Sequence, residues 1–361
     1  MENSLNSKIS KPFRVLAIDG GGMRGLYSAA LLSFLSERFI GTDKSLKIDI
    51  GKCFDLIAGT STGGLLACGL AFGLTPDVIM NLYTEAGREI FHDPMPASKD
   101  KFRFLNWVRR YKKRPSANAL AFREKLISIF NDESLGSVYQ KRKIALCVPA
   151  TTAIHKKSWV FKTPHLEGLT RDATYKLVDV CMATSAAPIY FPLAIIANNG
   201  AHSSYEAFSD GGLWANSPVL VGLIEAMKLK RDRPIQIISL GTCAPPSGQV
   251  IPKGAEYRGI LDWKVGVEAL ELSMEAQSAG HFYMAQQLLP FLDKQKESAM
   301  IRLPSTPPSG EQALCIGLDK ADIKACDVLI QLARNDADNI HSRANRPCDE
   351  LHIMKEIFQS S

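Results

Sequence analysis

The sequence predicts an α/β fold: a central, mostly parallel sheet with helices on its faces and a helical layer at the C-terminal end. Three observations carry this reading. Short apolar runs alternate along the chain with longer runs of helical character. Glycine clusters stand where one kind of run gives way to the other. The 361 residues are 46% apolar, enough for one large core.

Taken in order, Phe13 to Ile18 reads as a buried strand and Leu26 to Phe39 as the helix that follows it. Phe54 to Ala58 and then Thr62 to Phe72 repeat the pair, and Lys143 to Val148, Lys176 to Thr184, Val219 to Lys230 and Ile235 to Leu240 continue the alternation. Between two of these units lies a basic insertion, 94–117, without a clear period. From about Leu261 onward the chain reads as mainly helical, broken at Pro304 to Ser309, with core packing expected for the apolar positions between Asp262 and Leu292. Residues 1–12 form an N-terminal tail, 13–300 the main domain, and 301–361 a helical extension packed on that same domain.

Composition narrows the setting. A formal net charge of +6 favours anionic surfaces without implying a nucleic-acid polymer as partner. The eight cysteines form no C-x-x-C pair and have no histidine beside them at metal-ligand spacing, so reduced thiols of a cytoplasmic protein are expected. The polar start, Met1 to Pro12, leads into no apolar stretch of signal-peptide type. Leu56 to Pro76 is uncharged but holds five glycines, and reads as strand, turn and buried helix rather than a membrane span.

The sharpest local signal is Gly59-Thr60-Ser61-Thr62-Gly63, between a strand run and a helical run. A G-x-S-x-G string in that context is a nucleophile elbow: the glycines make room for a sharp turn that exposes the serine Oγ, and the helix start favours developing negative charge. A second signal, Asp19-Gly20-Gly21-Gly22-Met23-Arg24-Gly25, follows the first strand. Successive glycines let backbone N–H groups converge on one point, as an oxyanion hole requires. The string also satisfies G-x-G-x-x-G, but a dinucleotide site wants an acid at the end of the second strand, where this chain delivers Ser61. Arg24 either steadies the loop or faces a lipid phosphate, and the structural role is the better reading. The third signal is Asp210-Gly211-Gly212, an acid in a turn able to point its carboxylate inward. A histidine-containing triad stays open at this point; His281, His341 and His352 follow Asp210, with His281 first in line.

Together the loop at 19–25, the elbow at 59–63 and Asp210-Gly211-Gly212 resemble the patatin-like phospholipases in order and context. Ala183 to Pro188 and Ile238 to Thr242 are similar to that family's framework segments. The resemblance covers roughly residues 13 to 245 and implies a three-layer α/β/α fold, no metal, no cofactor and acyl esters of membrane phospholipid as substrate. By motif position it makes Ser61 the nucleophile, Asp210 its only catalytic partner, and the amides of Gly21, Gly22 and Thr62 the oxyanion donors. An aspartate is a weaker base than histidine by about 2.5 pKa units, so burial is expected to raise Asp210.

Within the family, Pro12 to Asp19 and Gly22 to Tyr27 resemble bacterial anti-phage effectors that a cyclic dinucleotide switches on to degrade the host membrane. This implies a cyclic dinucleotide as activator and a cytoplasmic protein peripheral to the inner face of the membrane; a homo-oligomer stays open. The alternative is a constitutive soluble esterase or lysophospholipase, or a binding module without activity. Lys99 to Arg114 sets eight cations and interleaved aromatics against the single Asp100. It reads as a docking segment or lid for anionic lipid, as a phosphate receptor, or as a solvated insertion with its aromatics tucked inward.

Overall fold

The computed structural model describes residues 11–40, 49–96, 100–197, 205–243, 251, 253–254, 256–260, 262–292 and 297–359. The N-terminal tail expected over 1–12 lies outside them up to residue 10, as does Lys99 of the basic segment.

Eight strands among the described residues join in one sheet: β1 (Phe13–Ile18), β2 (Leu56–Gly59), β3 (Ala145–Thr152), β4 (Lys157–Lys162), β5 (Ala194–Ala197), β6 (Tyr205–Asp210), β7 (Ile235–Leu240) and β8 (Ala299–Arg302). Their order is β5-β6-β3-β2-β1-β7-β8, with β4 paired to β3. From β3 to β8 neighbours run parallel, while β4, β6 and β5 add an antiparallel edge.

The helices are α1 (Gly25–Ile40), α2 (Thr62–Phe72), α3 (Pro76–Ile90), α4 (Lys101–Tyr111), α5 (Ala119–Phe130), α6 (Leu135–Arg142), α7 (Leu177–Thr184), α8 (Gly212–Ala215), α9 (Val219–Leu229), α10 (Val267–Leu292), α11 (Gly310–Cys315), α12 (Ile323–Ala344) and α13 (His352–Gln359). Alternation along the strands splits the core in two. Leu16, Ile18 and Ile57 join α1, α2, α3 and α12 on one face, while Val15, Ala17, Leu56 and Ala58 meet α9 and α10 on the other. The result is the expected three layers. Parallel strands covered on both sides are buried on both faces, and β1 and β7 are buried along their whole length; their polar members Arg14 and Gln236 pair with each other, Arg14 Nε donating to Gln236 Oε1 at 3.3 Å.

Register places the two ends that matter. β2 and β6 lie in succession along one edge of β3, because β4 occupies the other: Ala58 is opposite Cys147, and Asp210 is opposite Ala150. The C-terminal ends of β2 and β6 therefore converge from opposite directions, bringing the elbow and Asp210 together.

Two expectations are corrected. The insertion 94–117 holds a regular helix, α4, which Asp100 caps by accepting from Arg103 N at 3.2 Å. Its aromatics divide: Phe104 and Trp107 are buried, whereas Phe102 is 77% exposed. Among the described residues from 262 onward the chain is mainly helical, as expected, but it also contributes a strand, β8, which extends the sheet beyond β7. Strands β4 and β5 carry no clear signal in the sequence. All eight cysteines are free thiols, and no helix among the described residues is long and apolar enough to cross a membrane.

Candidate active site

Ser61 sits between the end of β2 and the first turn of α2 with φ 55° and ψ −122°, a region that side chains with a Cβ rarely enter. The strain is held by close backbone packing. A Cβ on Gly59 would lie 2.1 Å from the Gly63 carbonyl oxygen, and one on Gly63 would lie 2.3 Å from that of Ile18. Only glycine permits this turn at either position, and the turn aims the serine hydroxyl away from the sheet.

Ser61 Oγ donates to Asp210 Oδ2 at 2.7 Å. The other carboxylate oxygen of Asp210 accepts from Gly212 N at 2.6 Å. Both side chains are buried, Ser61 at 7% and Asp210 at 4% exposure. Burial pushes the Asp210 carboxyl up to about 6, against the lowering effect of the Gly212 and Ser61 hydrogen bonds. No histidine among the described residues is hydrogen-bonded to either group. His281, the first alternative, has its Nδ1 at 3.2 Å from the Ser217 carbonyl oxygen instead.

The segment after α7 holds both residues. Ser61 N donates to Thr184 Oγ1 at 2.8 Å, and Thr184 Oγ1 donates to Pro149 O at 2.6 Å. Asp210 N donates to Ala186 O at 2.9 Å, and Gly211 N to Thr184 O at 3.3 Å. Thr184 was legible only as part of a framework motif; that its hydroxyl ties the nucleophile's amide has no local signal.

The glycine loop lies alongside. Asp19 N donates to Leu240 O, Gly20 N to Asn216 O, Met23 N to Leu318 O and Arg24 N to Gly21 O, while Gly25 N turns back to Gly22 O and Met23 O. The amides of Gly21, Gly22 and Thr62 have no partner among the described residues, and all three residues line one cleft with Ser61 and Asp210. Unpaired N–H groups are costly unless something accepts from them, so these three amides are donors left open to an acceptor in the cleft. Arg24 takes the structural role: its Nε lies 3.4 Å from Gly21 O and its Nη2 3.4 Å from Glu275 Oε1.

The cleft is walled by apolar side chains, among them Leu65, Phe91, Phe122, Phe191 and Met274. Tyr83, which sequence patterning did not single out, also lines it, with its hydroxyl hydrogen-bonded to that of Thr62. Polar groups gather at the serine end, so the cleft suits a long apolar chain with one reactive carbonyl.

Cys147, His165 and Glu225 bring buried ligand atoms within 4.8 Å of one another, a proximity hidden by their spacing in sequence. The imidazole and the carboxylate there already have protein partners. Thr163 Oγ1 lies 2.8 Å from His165 Nδ1, His165 Nε2 lies 3.1 Å from Glu225 Oε1, and Lys162 Nζ lies 2.5 Å from Glu225 Oε2. The ammonium group beside Glu225 opposes a cation in the same place.

Residues 16–223 match the family model described as patatin-like phospholipase. A "cGAMP-activated phospholipase" of Pseudomonas aeruginosa is 35% identical over 274 residues, covering 74% of each chain. One of Vibrio cholerae is 30% identical over 361 residues and covers 96% of each. One of Escherichia coli is 32% identical over 243 residues, or 65% of this chain and 64% of that one.

Proposed function

This chain belongs to the patatin-like phospholipase family and is thus a lipid acyl hydrolase; on that premise we propose that it cleaves membrane phospholipid through a Ser61–Asp210 dyad and is switched on by a cyclic dinucleotide. The observation that carries the dyad is the 2.7 Å hydrogen bond between two buried side chains, with no histidine bonded to either among the described residues.

In this reading Asp210 accepts the Ser61 proton as Oγ attacks the ester carbonyl. The amides of Gly21, Gly22 and Thr62 donate to the resulting oxyanion, and Asp210 returns the proton to the departing alcohol. A water molecule, deprotonated by the same carboxylate, then attacks the acyl carbon; the acyl–Oγ bond breaks, Asp210 returns the proton to Ser61 Oγ, and the fatty acid leaves. At about 6, Asp210 comes close to the basicity of an ordinary imidazole, about 6.5, which removes most of the aspartate's disadvantage.

Two further parts rest on other observations. Helix α4 presents Phe102 and Leu105 to solvent beside Arg103, Arg109, Lys112, Lys113 and Arg114, while Trp107 Nε1 donates to Asp93 O at 3.0 Å and fixes the helix to the body. Exposed apolar groups flanked by cations favour peripheral docking on an anionic leaflet. Activation by a cyclic dinucleotide, and with it a role in anti-phage defence, rests on the similarity to proteins named cGAMP-activated phospholipase over most of this chain.

The test is fatty-acid release from phospholipid vesicles by wild type and Ser61→Ala, with and without cGAMP. Release that needs Ser61 and rises with cGAMP is expected. Equal release by the variant overturns the dyad, and indifference to cGAMP and related cyclic dinucleotides overturns the activation. Turnover of short esters with no action on vesicles would favour the soluble esterase.

A further inference from the structure

Three glycines in succession give the loop at 19–25 no conformation of its own, so whatever aims its amides must grip it from outside. The grip at each end comes from the far end of the chain. At the entrance, Asp19 Oδ2 accepts from Arg302 Nη2 at 2.6 Å, and Arg302 Nη1 donates to Ser239 Oγ at 2.8 Å. Arg302 thus bridges β7 and the first residue of the loop from the last position of β8. At the exit, Met23 N donates to Leu318 O at 2.8 Å. The contact is backbone against backbone: Gly22 has φ +56°, and a Cβ there would lie 2.2 Å from Leu318 O. The turn that carries Leu318 is in turn fixed by its neighbour, since the buried Asp319 accepts from Met95 N through Oδ2 at 2.6 Å. Leu318 also lines the cleft.

The two unpaired amides, Gly21 and Gly22, lie between these grips. Arg302, Leu318 and Asp319 all fall beyond residue 223, where the match to the family model ends. We infer that the C-terminal region completes the catalytic site, with Arg302 and Asp319 as positioning residues that hold the glycine loop in register with Ser61. The inference rests on the reading of Gly21 and Gly22 as oxyanion donors.

Removing the guanidinium outright would leave the buried Asp19 carboxylate uncompensated and put the fold itself at risk. Milder variants avoid this. Arg302→Lys keeps the charge but, as a point donor, cannot span Asp19 and Ser239 as the planar fork does. Asp319→Ala removes the acceptor for Met95 N, and Asp319→Asn keeps one.

The experiment measures kcat and KM on a soluble short-chain ester, with cGAMP present, for wild type and the three variants, beside their thermal midpoints and the rate at which a fluorophosphonate labels Ser61. Arg302→Lys and Asp319→Ala are expected to lose about 10- to 100-fold in kcat, less than the full loss of one oxyanion donor, with KM within twofold of wild type. Asp319→Asn should recover to within about threefold, as a hydrogen-bonding role predicts. Wild-type kcat in folded Arg302→Lys and Asp319→Ala overturns the inference, as does an Asp319→Asn variant as impaired as Asp319→Ala, or a loss that only follows the unfolded fraction. Failure of the wild type itself to label at Ser61, with and without cGAMP and related cyclic dinucleotides, overturns the hydrolase reading of the site and the inference with it; normal labelling with undiminished variants overturns the inference alone.

Discussion

The amide of Ser61 donates to the hydroxyl of Thr184 across 2.8 Å, tying the nucleophile's own N–H to the end of α7. This bond engages the Ser61 amide, so that N–H is not free to donate to an oxyanion. It also braces a backbone held at positive φ. Thr184→Val keeps the shape but strands two buried groups, Ser61 N and Pro149 O. A destabilisation of about 1 to 3 kcal/mol is expected, read by chemical denaturation, with a fall in kcat larger than any change in KM.

Asp210 links activity to pH. Its carboxyl is raised by burial to about 6, and the base form is the ionised one, so kcat/KM should rise as pH climbs through about 6 and level off above it. A limb near pH 4 contradicts the raised value. Burial also brings Asp319 to about 6, so the profile is best repeated in Asp319→Asn: a limb that stays belongs to Asp210.

The same shift has a stability consequence of definite sign. A carboxyl whose folded pKa exceeds its unfolded value of about 3.9 binds protons more tightly when folded, so the fold loses stability as pH rises from about 4 to 6. Asp210→Asn imitates the protonated form and can still pair with Ser61 and Gly212. It should be more stable than wild type at pH 8, by on the order of 3 kcal/mol, with no advantage below about pH 4. Urea unfolding of both proteins at the two pH values checks this.

Docking through α4 separates from chemistry. Phe102→Ser combined with Leu105→Ser should weaken partition onto anionic vesicles about tenfold or more, from the apolar area no longer withdrawn from water. Turnover of a soluble ester should not change, because neither side chain lines the cleft. Vesicle cosedimentation at two salt concentrations, with the ester assay alongside, reads both effects. Binding indifferent to salt and to these residues removes α4 from the membrane.

The parts of the site that were legible in the sequence are those whose chemistry is local. Ser61 and its glycines announce a strand-to-helix turn within five residues, Gly20 to Gly22 require a backbone free of side chains, and Asp210 stands in a turn of its own. Strand β1 and helix α2 emerge at or close to the expected limits because apolar runs and turn residues delimit them. What stayed hidden depends on distance in sequence. Thr184 reaches across to Ser61, Arg302 to Asp19, and His165 to Glu225 only after the sheet is assembled. Helix α4 was masked by composition: Phe104 and Trp107 mark its inner face at i and i+3, but Phe102 and Leu105 on its outer side blur the stripe.

The dyad is tested most directly by the rate at which a fluorophosphonate labels Ser61 in wild type, Asp210→Asn and His281→Ala, measured with cGAMP present from pH 4 to 9. The account predicts labelling at Ser61 alone, a rate that increases through about pH 6, a loss of about 10³-fold or more in Asp210→Asn, and little change in His281→Ala. Undiminished labelling of Asp210→Asn, or its abolition in His281→Ala, would contradict it.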